Sequence, residues 1–226
     1  MRAQDRENHR YNKGYKNKIE KVENFMFKEL PSNPGNLLDL GCGEGTVTLE
    51  LIKKGANVKG VDFSSVAIKK AVSKGIDAFE NDLDKEGIPF KDKTFDVVWA
   101  GDIIEHVFDP IFLLEEISRV LKLQGIVLIS IPNDINIITR IKIAFLGVSP
   151  QSKTYKKLRQ CKHHTVISLE LIDFMIKKAG LSWKLTKAVC RNPFYPIFKN
   201  EFTTNNTLIA KWFGKTLIIK ARLKNI

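Results

Sequence analysis

The chain has 226 residues, 43% of them hydrophobic and 27% charged, which suits one α/β domain with a small elaboration and a core that needs no covalent staples. Its three cysteines, Cys42, Cys161 and Cys190, are odd in number and lack ligand spacing. They exclude a disulfide framework or zinc finger and point to a reducing, cytoplasmic compartment. A formal charge of +12 either favours anionic partners (nucleic acid, phosphorylated metabolites, an acidic membrane face) or serves only to keep the chain in solution.

Residues 1–17 are polar and basic, with Tyr11 and Tyr15 the only aromatics, and read as neither a signal peptide nor a span. From Lys18, the spacing of Ile19, Val22, Phe25, Met26 and Leu30 predicts an amphipathic helix that Pro31 stops. Leu37–Leu40 reads as a buried strand. It runs into Gly41-Cys42-Gly43-Glu44-Gly45 and then a helix over about 47–54 closed by Gly55. Glycines at that junction allow positive φ and let a ligand approach the backbone, with the helix's positive end behind it. In the same turn Cys42 is either a small side chain that fits or a reactive thiol.

A second strand, Val58–Val61, ends in Asp62 and Phe63, about 20 residues past the turn, where an acid can accept both hydroxyls of a ribose. Asp62 could instead cap the next helix, although Ser64 and Ser65 already suit that task. A helix at 65–74, a strand near 77–79 and the sequence Asn81-Asp82-Leu83 follow. A fourth strand, Phe95–Ala100, ends at Gly101-Asp102 and leads to Ile103-Ile104-Glu105-His106-Val107, which places that segment in a cleft outside the strand ends. Pro110–Leu121 is an amphipathic helix and Gly125–Ser130 a fifth buried strand.

The region 134–166 breaks the alternation with a short apolar-faced helix (Ile135, Ile138, Ile141, Phe145) and a basic loop (Lys153, Lys156, Lys157, Arg159, Lys162). We read it as a cap that recognises an anionic group or an acidic lipid surface, or else is simply solvated. Ser168–Ala179 is the last helix, capped by Ser168 and ended by Gly180. Trp183–Val189 and Leu217–Ala221 complete seven strands. The alternation predicts an α/β, Rossmann-like, mostly parallel seven-stranded sheet with helices on both faces, an antiparallel last strand and a small cap after the fifth.

The run Leu38-Asp39-Leu40-Gly41-Cys42-Gly43-Glu44-Gly45 resembles the first motif of the class I S-adenosylmethionine-dependent methyltransferases. The longer pattern GDIIEHV…DP…LLEEISRVLKLQGIVLISIPN…HHTVISLELIDFMIKKAGL is similar to a group containing ubiquinone-pathway O-methyltransferases, sugar and polyketide methyltransferases and small-RNA 2′-O-methyltransferases. The resemblance implies S-adenosylmethionine as cofactor. Asp39, Gly41, Cys42, Gly43 and Gly45 would hold its methionine part, Asp62 with Phe63 the ribose, and Asp82 with Leu83 the adenine. It also implies a lid helix within 1–31.

Some members bind a divalent ion through Glu-x-x-Glu-His and a later His, which match Asp102, Glu105, His106 and His164 or His163; Asp102 is one methylene shorter than the family's Glu. These four positions are therefore read as catalytic, with His106 or His164 acting as a metal-free base, as metal ligands or in substrate orientation, and no metal is assigned. The expected function is methyl transfer to a hydroxyl of a small molecule, a sugar, lipid-quinone or glycan precursor, either anionic or neutral. The alternatives are an RNA 2′-O-methyltransferase and a non-catalytic cofactor-binding partner subunit. No transmembrane segment is expected, peripheral membrane contact is open, and the oligomeric state is not specified.

Overall fold

The computed structural model describes residues 3–12, 19–147, 164–191 and 201–224. Tyr15, Cys161, His163 and the cap lysines at 153–162 lie outside them. β1 (Asn36–Leu40) alternates Leu37 and Asp39 on one face with Leu38 and Leu40 on the other, and all four are buried. A strand covered on both sides has to be apolar throughout; Asp39 is the exception, and it marks the site.

α3 (Thr46–Lys53) returns the chain to β2 (Asn57–Asp62), and α4 (Ser65–Ser73) leads on to β3 (Asp77–Glu80). Ser64 caps α4 through a bond from the Ala67 N–H at 3.2 Å, as its residue type predicts. β4 (Phe95–Gly101), a 3₁₀ turn at Ile104–His106, α5 (Pro110–Val120) and β5 (Leu121–Pro132) follow. α6 (Ile137–Leu146), α7 (Leu169–Lys178), β6 (Leu181–Arg191), β7 (Glu201–Thr204), α8 (Thr207–Phe213) and β8 (Gly214–Leu223) complete the described chain.

The sheet has eight strands in the order β3-β2-β1-β4-β5-β8-β6-β7. β1 to β5 pair in parallel, and β8 inserts antiparallel between β5 and β6. One core carries α5 and α7 through Leu113, Leu114, Ile117, Ile172 and Ile176. The other holds Met26 of α2 (Lys21–Phe27) and Leu51 of α3 against Leu37, Val97, Trp99 and Leu128.

Three differences from the expected layout have physical causes. β7 is an eighth strand; it pairs with β6 through Thr203 and Phe202 opposite Val189 and Cys190, and its four residues were too short to stand out within an aromatic-rich connection. α1 (Ala3–Asn12) is a polar helix whose pattern carries no apolar stripe; it is held by side-chain bonds to α4 instead. Between β3 and β4 the alternation drops its helix, and the 81–92 stretch forms turns. Arg119 of α5 pins it by donating to the Ile88 and Phe90 carbonyls at 2.9 and 2.8 Å and to Asp92 at 2.8 Å.

Candidate active site

Outside the carboxyl ends of β1 and β2 the backbone makes three left-handed steps in five residues. Gly41, Gly43 and Gly45 have φ of 71°, 56° and 83°, a region that side chains with a Cβ rarely enter. At Gly45 a Cβ would also stand 2.0 Å from Ile76 Cδ1, so packing and conformation select the same residue. Asp62 closes this turn. One carboxylate oxygen accepts the Gly43 N–H at 2.9 Å and the other the Ser64 N–H at 2.8 Å. Burial raises its pKa, against those two bonds.

Asp39 lies beneath the turn, accepting from Thr48 Oγ1 at 2.7 Å. Burial pushes its pKa up to about 7, against the Thr48 bond and with a smaller push from the Asp62 charge. An acid this desolvated costs stability when ionised, and a bound cation would offset that cost. The folded-state pKa exceeds the unfolded value, so stability is lost as pH rises from about 4 to 7. Asp39→Asn should therefore melt higher than the parent at pH 8 and at the same temperature near pH 4, followed by thermal denaturation of the ligand-free chain.

Cys42 is 3% exposed and burial pushes its thiol far up, which favours the reading of a small side chain that fits the turn. Its Sγ occupies the space that a Cβ on Gly60 would need, at 2.8 Å. Gly60 of β2 is thus part of the turn's architecture, a partner that sequence spacing alone did not reveal.

Next to Phe63, α1 is held by side-chain bonds. Gln4 Nε2 donates to the Phe63 carbonyl at 2.9 Å, and Asn8 Oδ1 accepts from Ser64 Oγ at 2.7 Å. Tyr11 is buried at the far end of the helix. Beyond β3, Leu83 is buried and Asp82 caps its own turn, accepting the Asp84 N–H at 3.2 Å. The 5%-exposed Asn81 donates Nδ2 to Glu86 at 3.0 Å, which fixes its amide orientation because a carboxylate only accepts. Its Oδ1 is buried without a donor among the described residues. A buried acceptor left in this state beside Asp82 suits a ligand bearing an amine.

Asp102, at the end of β4, has a φ of 49°, uncommon for a residue with a side chain. Ser130 of β5 holds it there: its Oγ donates to Asp102 Oδ1 at 2.8 Å, and its carbonyl accepts the Asp102 N–H at 3.0 Å. This bend turns the chain into the 3₁₀ segment of Glu105 and His106. Glu105 is 1% exposed. Burial, then the Asp102 charge, pushes its pKa up to about 8, with a smaller push from Asp134 and against its own backbone bond. His106 Nε2 lies 4.0 Å from Glu105 Oε1, too far for a hydrogen bond, so the two neighbours form no dyad.

The structure brings His164 to the same place. Its backbone N–H bonds the Glu105 carbonyl at 2.8 Å, and its ring lies against Phe108 with centroids 4.1 Å apart. The link is extended by Asp134, whose backbone N–H bonds the Ile167 carbonyl at 2.9 Å and whose Oδ2 accepts the Ile167 N–H at 3.0 Å. Ser130 and Asp134 are site-shaping residues that the sequence reading did not single out. No cluster of three or more metal-binding side chains occurs among the described residues.

A family model described as a methyltransferase domain matches residues 38–129, the segment from β1 through most of β5. This segment matches a methyltransferase domain, and the chain has the fold of S-adenosylmethionine-dependent methyltransferases. Human mitochondrial ubiquinone biosynthesis O-methyltransferase is 28% identical over 195 residues, covering 76% of this chain and 50% of that one. The chain thus spans about half the length of the curated relatives it matches first. A methyltransferase structure from Thermotoga maritima superposes with a TM-score of 0.67 at 20% identity, covering 90% of this chain and 87% of the other.

Phosphoethanolamine N-methyltransferase 2 of Haemonchus contortus, in complex with phosphomonomethylethanolamine and S-adenosylhomocysteine, superposes with a TM-score of 0.59 at 25% identity. That match covers 73% of this chain and 38% of that one. In this chain the glycine turn, Asp62 and the Glu105–His106 segment all lie at the carboxyl ends of parallel strands.

Proposed function

We propose that the chain is an S-adenosylmethionine-dependent O-methyltransferase whose acceptor is a hydroxyl on a small molecule, a sugar, lipid-quinone or glycan precursor. The observation that carries this reading is the three-glycine turn locked to Asp62 by the Gly43 N–H, with the His164 backbone bonded to the turn after β4 that bears His106. The residues present fit the cofactor. Asp39 and the turn at Gly41, Gly43 and Gly45 take the aminoacyl end, Cys42 contributing backbone alone. Asp62, with Phe63 behind it, takes the ribose hydroxyls through its remaining lone pairs, and Asp82 and Leu83 take the adenine. α1 serves as the lid over this end.

When bound, S-adenosylmethionine supplies an electrophilic methyl group on sulfur. The protein then has to hold the acceptor oxygen in line with that methyl and to remove the hydroxyl proton. Alignment of this kind is worth about 7–11 kcal/mol. A ring nitrogen of His106 or His164 takes the proton, while Ser130 keeps Asp102 and the 105–106 segment in place. Glu105, whose pKa burial pushes up to about 8, adds little negative charge beside His106 at pH 7.

The exposed apolar side chains of α6, Ile141, Ile143, Phe145 and Leu146, follow β5 on the cleft side and support an acceptor with an apolar portion. No described helix is long and apolar enough to cross a membrane. The free, buried thiols of Cys42 and Cys190 support a reducing, cytoplasmic compartment.

Calorimetric titration with S-adenosylmethionine and S-adenosylhomocysteine tests the reading directly. We expect both to bind one to one and NAD to show no heat. Uptake of NAD with indifference to both sulfur compounds would overturn it.

A further inference from the structure

At the other end of the sheet the chain builds a second concavity that methyl transfer does not use. β6 and β8 pair antiparallel with Lys184 directly opposite Lys220 and Ser182 directly opposite Arg222, so all four side chains emerge on one face. With Trp183 they line a cavity of about 260 Å³. On β8, Lys220 pairs with Leu128 whereas Thr216 pairs with Pro132. The cavity therefore sits toward the amino end of β5, away from Asp102 and the glycine turn.

Like charges directly opposite on paired strands destabilise a sheet, and folding alone gives no reason to set three cations here. Lys220 is the most fixed of them. Its side chain is 17% exposed, and its Nζ donates to the Glu29 carbonyl at 2.8 Å, with the Glu29 carboxylate at 3.8 Å. Burial holds its pKa below the ordinary lysine range; the Lys184 and Arg222 charges act in the same direction and Glu29 opposes them. Lys184 and Arg222 are exposed, and neither has an ion pair among the described residues. One carboxylate thus faces three cations, one of them immobilised, around a hollow with a serine hydroxyl at its edge.

We propose that this cavity binds a compact polyanion, a phosphate or pyrophosphate group, either free or carried by a small molecule. Arg222 presents a planar fork of donors suited to phosphate oxygens, Lys184 and Lys220 add point charges, and Ser182 offers a neutral donor. The size and concavity favour a compact group over an extended polymer backbone.

Inorganic pyrophosphate and uridine diphosphate, titrated calorimetrically into the full chain at low ionic strength, test the site. We expect saturable one-to-one binding that persists with S-adenosylmethionine present, and the ranking of the two probes tells whether the free group or its carrier is preferred. K184A/R222A should weaken binding about ten- to a hundredfold, as for loss of charge-assisted hydrogen bonds, and K184Q alone by less. K69A/K91A, which removes the same charge at exposed positions elsewhere, should leave affinity unchanged. Displacement by S-adenosylmethionine, equal weakening in both double variants, no heat with either probe, or binding only to a single-stranded oligonucleotide would each overturn the proposal.

Discussion

Asp62→Ala is expected to weaken S-adenosylmethionine binding by about a hundredfold or more while the chain still folds. Two ribose hydroxyls donating to one carboxylate are charge-assisted bonds of about 1.5–3 kcal/mol each, and alanine removes both. The variant also strips the acceptor from the Gly43 and Ser64 N–H groups, so the glycine turn loses its anchor to β2. That second effect appears as a lower melting temperature. Ser64→Ala separates the two contributions. It removes the α4 cap and the bond to Asn8, which costs about 1 kcal/mol of stability, yet leaves the ribose acceptor intact and affinity within a few-fold. Calorimetry beside thermal melting reads both quantities. If Asp62→Ala binds as tightly as the parent, the ribose does not lie at the end of β2.

His106→Ala and His164→Ala should lower kcat for methyl transfer with little change in cofactor affinity, and the one that acts as base should fall by about 10²–10⁴. The two differ in what else they hold. His106 stands beside a carboxyl that titrates near 8, so in the parent the base should strengthen as Glu105 ionises. That alkaline limb of the pH–rate profile should vanish in Glu105→Gln. His164 is fixed through its backbone and through stacking on Phe108. His164→Phe keeps the stacking and removes the base, so it separates positioning from proton transfer. Radiolabelled methyl transfer to a panel of polyprenyl catechols and nucleotide sugars measures these rates. Retention of full turnover by both alanine variants would place the acceptor elsewhere.

Much of this was legible in the chain itself. Local patterns fixed β1, β2, β4, α5 and α7, because each is a run whose apolar period and caps agree, as at Asp109 and Ser168. The glycines at 41, 43 and 45 declared a turn that only they could make, and the acid at the end of β2 declared its distance from it. Other features depend on partners distant in sequence. α1 has no apolar stripe and is held by Asn8 and Gln4 reaching residues more than 50 positions away. The left-handed Asp102 depends on Ser130, 28 residues on. Cys42 is buried because Gly60 makes room for its Sγ.

The sequence by itself determined the alternating architecture and the glycine turn, since these follow from periodicity and backbone conformation within short windows, while the kind of cofactor came through the resemblance of that turn to a known motif. Only the tertiary structure decided that Glu105 is buried and neutral at pH 7, that His164 lies against the turn bearing His106, and that three cations of β6 and β8 share one hollow. Burial and cross-strand register are set by which segments pack together, and no local window contains that information.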